Sequence, residues 1–154
     1  MTTTTPAATT TSPLPQPAEC QSAINLTEYW RKDHSGSSIK PINGEYNHDN
    51  KRMVDAGRPW FRFTGAAGNR LLDHCVSSTS GATSCGTVDA TWSDAPMPTK
   101  IGVINKFNAT QSYGGKCHYS QFECSVMRCS DGPHDFIYRY DGPDSGDDGF
   151  CGMD

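Results

Sequence analysis

Apolar positions along this chain come in short clusters, separated by stretches rich in Gly, Pro, Asn and Asp. Trp60-Phe-Arg-Phe63 carries the clearest strand signal, since its aromatics alternate with Arg62, although Phe61 makes both faces partly apolar. Ile101-Gly-Val-Ile104 and Phe136-Ile-Tyr-Arg-Tyr140 read as further strands, and Ser125-Val-Met-Arg128 as a fainter one. Helical spacing is confined to Asn25–Arg31, where Leu26, Tyr29 and Trp30 fall at i, i+3 and i+4 and Asn25 or Thr27 can cap the start. Gly65-Ala-Ala-Gly68 turns the chain before Leu71-Leu72, and residues 33–51 are loop by composition. No internal repeat is present. The pattern predicts a small, mainly β fold with a short N-terminal helix and many loops.

Composition adds a boundary to that picture. Residues 1–19 are almost entirely Thr, Pro, Ala and Ser, a disordered, mucin-like linker whose hydroxyls are O-glycan acceptors. The folded domain is expected over 20–154. Only 34% of the chain is hydrophobic and its mean hydropathy is −0.63, so the core is thin and covalent staples are the expected compensation. Aromatics then supply much of the buried area, which makes Trp30, Trp60, Trp92 and Phe63 core candidates rather than a ligand platform. A net charge of −4 without a basic patch argues against nucleic-acid binding. No apolar stretch approaches the roughly 20 residues that cross a bilayer, so no direct membrane insertion is expected. The first residues lack the charged and apolar regions of a secretory signal, so an exported chain would be a fragment with its signal elsewhere.

Seven cysteines, Cys20, Cys75, Cys85, Cys117, Cys124, Cys129 and Cys151, favour an oxidising, extracellular setting and leave at least one thiol over. Cys117, His118, Cys124, Cys129 and His134 do not have zinc-site spacing, and no C-x-x-C pair occurs. No phosphate loop, G-x-S-x-G or H-E-x-x-H sequence is present, which leaves no catalytic residues to name and predicts a non-enzymatic module without cofactors. Asn25-Leu-Thr27 and Asn108-Ala-Thr110 are N-glycosylation sequons, the first at an expected helix start and the second beside an expected surface loop. Asp141, Asp144, Asp147 and Asp148 gather carboxylates among turn residues, a calcium candidate without the EF-hand spacing and better read as a solvated acidic loop.

An ordered set of segments carries a resemblance. It comprises Cys20 with Leu26-Thr-Glu-Tyr-Trp-Arg31, then Gly57-Arg-Pro-Trp-Phe-Arg-Phe-Thr-Gly65 and Cys75-Val76. It continues through Cys85-Gly-Thr87, Trp92, Gly102-Val-Ile104 and Cys117 to Val126-Met-Arg-Cys129, Ile137-Tyr138 and Cys151. The order resembles the eight-cysteine domain of the uromodulin family, which also includes the major glycoprotein of pancreatic zymogen granules. It spans residues 20–151. The chain departs from the family at Arg52-Met-Val-Asp55 and Asp144–Asp148, where the family has two cysteines that partner each other, so one whole bridge is missing. A family cysteine near Phe107 and one of a pair at Cys117 are also absent, and Cys124 has no family counterpart.

With that frame in place, the expected bridges are Cys20–Cys151, Cys75–Cys85 and Cys117–Cys129. Cys124 is left over, as a buried thiol, as a partner of Cys117 that displaces Cys129, or as a bridge to another chain. The resemblance implies a non-enzymatic extracellular module of a larger secreted or membrane-anchored glycoprotein. Its role would be structural, adhesive or glycan-presenting, with an extracellular protein or glycan as partner. A lectin-like or receptor-ligand module is the second reading, which an aromatic and acidic cleft would favour; a small secreted enzyme comes third.

Overall fold

A computed structural model describes residues 15–33, 48–76, 78–79, 82–83, 85–143 and 148–154. The strands are β1 (Ile24–Leu26), β2 (Phe61–Phe63), β3 (Arg70–Leu71), β4 (Ser78–Thr79), β5 (Ala82–Thr83), β6 (Asp89–Trp92), β7 (Ile104–Tyr113), β8 (Lys116–Arg128), β9 (Phe136–Tyr140), β10 (Asp148–Phe150) and β11 (Gly152–Met153). Two short helices, α1 (Ala18–Ser22) and α2 (Asn50–Asp55), lie among them. The fold is mainly β and disulfide-rich, in agreement with the sequence pattern. Seven strands form one sheet in the order β1-β2-β9-β8-β7-β6-β10, antiparallel inside and parallel at its two outer pairs. Strands β3 and β11 form a separate antiparallel pair, as do β4 and β5.

The aromatics build the core. Phe61 lies 4.8 Å from Phe150 and 5.9 Å from Tyr138, centroid to centroid, and Tyr140 lies 5.0 Å from Phe122. Leu26, Met53 and Val126 fill the space between these rings. Trp30, Trp92 and Phe63 are buried, while Trp60 is only partly so and carries the Arg139 guanidinium 5.1 Å above its ring.

Several sequence expectations need correction. The helix expected over Asn25–Arg31 is instead β1 followed by a single 3-10 turn at Tyr29–Arg31. The reason is pairing: β1 runs parallel to β2, Ile24 opposite Phe61 and Leu26 opposite Phe63. Asn25 therefore caps no helix. Ile101–Ile104 is not a strand throughout, because Gly102 adopts φ +74° and β7 begins at Ile104. Of the loop expected over 33–51, residues 50 and 51 open α2, and 34–47 lie outside the described residues. Finally, Ala18 and Glu19, placed in the linker by composition, open α1, and the Gln16 side chain reaches Asp135. Residues 1–14 of that linker lie outside the described residues.

The hydrophobic pattern does not reveal the long β7–β8 hairpin. Its outer part is polar on both faces, and residues 113–121 of it are exposed. The turn itself follows from Gly114-Gly115, which adopt φ +57° and +79°, as a type I′ hairpin turn requires at both positions.

One buried ion pair ties the sheet to α2. Arg31 is fully buried, donates from Nη2 to Asp49 Oδ1 at 2.7 Å and makes a second, shorter contact from Nη1 to Asp49 Oδ2. Its Nε donates to Glu28 Oε2 at 2.7 Å, and its guanidinium lies 4.1 Å from the centre of the Trp30 ring. Asp49 stands at the N-cap of α2 but does not cap it. Its carboxylate turns inward and accepts from Arg31 and from the Phe150 amide at 2.9 Å. Gly86 completes the packing, since a Cβ there would lie 2.8 Å from Trp30 Cβ.

Asp49→Ala would strand the Arg31 charge in the interior and is expected to cost about 3–5 kcal/mol, read as a lower urea midpoint with an unchanged slope. A pH effect follows from Glu28. Burial alone would raise its carboxyl, but Arg31 and Arg52 outweigh that and hold it at about 2, below its ordinary 4.5. A depressed carboxyl contributes stability that is complete above its unfolded value and lost as pH falls toward the folded one. The urea midpoint of the native chain should therefore drop between pH 4.5 and about 2, and Glu28→Gln should flatten that drop.

Candidate functional site

The cysteines come together in a different arrangement from the one expected. The bridges are Cys20–Cys129, Cys75–Cys117 and Cys85–Cys151, with Cα separations of 5.8, 5.3 and 5.8 Å. None of the three expected pairs, Cys20–Cys151, Cys75–Cys85 or Cys117–Cys129, is present. The sheet explains why. Residue 129 follows the last residue of β8, and its neighbours Met127 and Ile137 pack with Cys20 of α1. Cys151 lies between β10 and β11, beside Cys85, Leu72 and Trp92. That leaves Cys117 near the hairpin tip to reach Cys75. Every bridge spans at least 42 residues, and neither short loop of the expected scheme, 75–85 or 117–129, is closed.

Cys124 is the free cysteine, 1% exposed in the middle of β8. Burial pushes its thiol well above the ordinary range, and the Asp141 backbone contact offsets this only in part. Such a group is a small apolar core residue and not a nucleophile. A bridge from it to another chain is ruled out in the native fold, because no partner sulfur can approach. Swapped pairing with Cys117 is excluded by Cys75. The same bonds remove the zinc set, since Cys117 and Cys129 are both spent.

The two sequons stand on the surface. Asn108 is exposed, but it lies inside β7 opposite Glu123 and not in a loop. Its strand neighbour Ala109 is buried, so the alternation of the strand sends the Asn108 side chain away from the core. Asn25 is exposed on β1, at one edge of the sheet. In the acidic segment, Asp144 and Asp147 lie outside the described residues. Asp141 accepts from Arg139 Nε at 2.9 Å and from Ser125 Oγ, and Asp148 is buried in β10. Neither is placed as a solvated calcium ligand. Among the described residues no three His, Cys, Asp or Glu side chains cluster around a common ion position.

Among the described residues, two surface hollows bear on binding. One, of about 360 Å³, runs between Arg62, Thr64, Asn69 and the His134–Phe136 segment. Its charged groups already pair: Arg62 reaches Asp135 at 3.4 Å, and Asp135 also accepts from Ser130 beside the hollow at 2.6 Å. The other, of about 240 Å³, lies at the hairpin tip and is lined by Val88, Asp89, Tyr113 and Tyr119. Sequence reasoning missed these four residues; the Gly114-Gly115 dipeptide between two tyrosines was the available signal.

Peptide mapping without reduction should recover Cys20–Cys129, Cys75–Cys117 and Cys85–Cys151 linked peptides. Iodoacetamide should leave Cys124 unmodified in the native chain and alkylate it fully in guanidinium.

Comparison with known proteins points to one family. The family model for the uromodulin-like eight-cysteine domain matches residues 61–152. Mouse (Mus musculus) uromodulin is 26% identical over 133 residues, which cover 86% of this chain and 18% of that protein. The chain therefore spans under a fifth of the length of this curated relative. By the extent of the family match, which covers more than half of the chain, this chain belongs to the uromodulin-like eight-cysteine domain family.

Proposed function

We propose that this chain is a non-enzymatic extracellular module of a larger secreted or membrane-anchored glycoprotein, with a structural, adhesive or glycan-presenting role. The Thr/Pro-rich stretch ahead of α1 would connect it to the rest as a stalk, and the domain proper would follow. Three disulfides support an oxidising compartment, since reduced cytosolic thiols would leave so thin a core without its staples. The observation that carries the glycan-presenting role is Asn108, an exposed sequon on a strand of the long hairpin. A glycan there would project from a fixed direction and not from a moving loop. A second glycan on Asn25 would cover the β1 edge, where a sheet can accept an added strand. A lectin-like or receptor-ligand module is the second reading, and the hollow lined by Tyr113, Tyr119 and Asp89 is the feature that favours it.

Expression through a secretory pathway should give a glycosylated chain that loses mass on treatment with an N-glycosidase. Asn108→Gln should lose one glycan and keep the same three bridges. If the enzyme leaves the mass of the native chain unchanged, the glycan-presenting role fails.

A further inference from the structure

The hairpin tip has a construction that presenting glycans does not use. Between the pairs Gln111–Ser120 and Tyr113–Lys116, β7 contains the single residue Ser112 while β8 contains three, Cys117, His118 and Tyr119. A bulge of this kind re-aims side chains. Here it sets His118 against Trp92, centroids 5.4 Å apart, and Tyr119 against Tyr113 at 5.1 Å with the rings tilted by 54°. Asp89, at the start of the neighbouring strand β6, and Val88 complete the hollow.

The bulge is held from behind. Cys117 is bonded to Cys75. Trp92 Nε1 donates to Ser112 Oγ at 2.8 Å, and Ser112 Oγ donates to the Cys117 carbonyl at 3.4 Å. The platform is therefore organised before any ligand arrives, which lowers the ordering cost of binding. Yet Tyr113 and Tyr119 stay 41% and 53% exposed, while the aromatics of the inner strands are buried.

Two ring faces beside a carboxylate suit a ligand with an apolar face and a polar edge. A pyranose ring has both: its C–H face stacks on an aromatic ring and its hydroxyls donate to the carboxylate. A cation would also suit aromatic faces. However, Lys116 stands directly opposite Tyr113 in the ladder, and its charge opposes a second cation there. The volume, about 240 Å³, suits one sugar ring and not a folded partner. We infer that this hollow binds a terminal neutral monosaccharide of a glycan, stacked on Tyr113 and Tyr119 with Asp89 accepting its hydroxyls. The inference rests on the second reading above and narrows it to a ligand class.

The test uses the intact, disulfide-bonded chain and saturation-transfer NMR. The probes are methyl glycosides of glucose, galactose, mannose and N-acetylglucosamine, with Nα-acetyl-lysine amide as the cationic comparison. At least one glycoside should bind in the millimolar range, and Tyr119→Ala and Asp89→Asn should each weaken it about tenfold or more. Tyr119→Phe, which keeps the ring, should retain most of the binding. Recovery of the same three bridged peptides shows that each variant is folded. If a glycoside binds but folded Tyr119→Ala leaves it unchanged, the assigned site is wrong. If the lysine probe alone binds and Asp89→Asn abolishes that, the sugar class is overturned while the ligand-binding reading survives. If no probe binds, both fall.

Discussion

The Arg31–Asp49 pair is the contact on which the rest of the structure depends. It joins the turn after β1 to the start of α2, and through the Phe150 amide it also fixes β10. A charge pair removed from water repays its desolvation only when its other donors and acceptors are satisfied. Here Glu28, the Phe150 carbonyl and the Trp30 ring occupy the remaining positions around Arg31. The resemblance implies a family disulfide between the neighbourhood of Arg52–Asp55 and that of Asp144–Asp148, which this chain lacks. In its place, the Asp49 amide donates to the Asp148 carbonyl at 2.6 Å and Arg58 donates to the Gly142 carbonyl at 2.7 Å. Polar contacts thus cross a gap that relatives are expected to close covalently.

That pair also marks the limit of what can be read from the chain. Strands β2 and β9 are legible because aromatic alternation is a local signal. Arg31 and Asp49 are not, because an exposed and a buried Arg look alike in sequence, and Asp49 sits where a helix cap is the ordinary reading. The β7–β8 hairpin escapes for a related reason. Its polar outer residues have no core to report on, so only Gly114-Gly115 marks it.

Disulfide pairing illustrates the same division. The frame of six bonded cysteines and one spare can be counted, but partners are chosen by three-dimensional adjacency. Cys129 meets Cys20 because β8 runs back across the sheet to α1, and Cys117 meets Cys75 because the bulge carries it there. Two of the expected bridges, Cys75–Cys85 and Cys117–Cys129, close short loops, whereas the sheet order dictates separations of 42, 66 and 109 residues. The exposed sequon and the tip hollow share this dependence: Asn108 can be recognised as a sequon, but its place on a strand, and the pairing of Tyr113 with Tyr119, come from the hairpin register.

The crossed bridges also determine how the module would behave under tension. A pull between Cys20 and Cys151 passes at once through sulfur into Cys129 and Cys85. From there the two shortest covalent routes run in parallel. One follows the chain from 129 to 151, and the other passes through 117–129, the Cys75–Cys117 bond and 75–85, each about 22 residues long. Even fully unravelled, the linked chain could lengthen to only about 75 Å between these points, against roughly 450 Å without its bridges. Cutting either route leaves the other intact. Set between neighbouring domains, such a module is a short, doubly secured link rather than an extensible one.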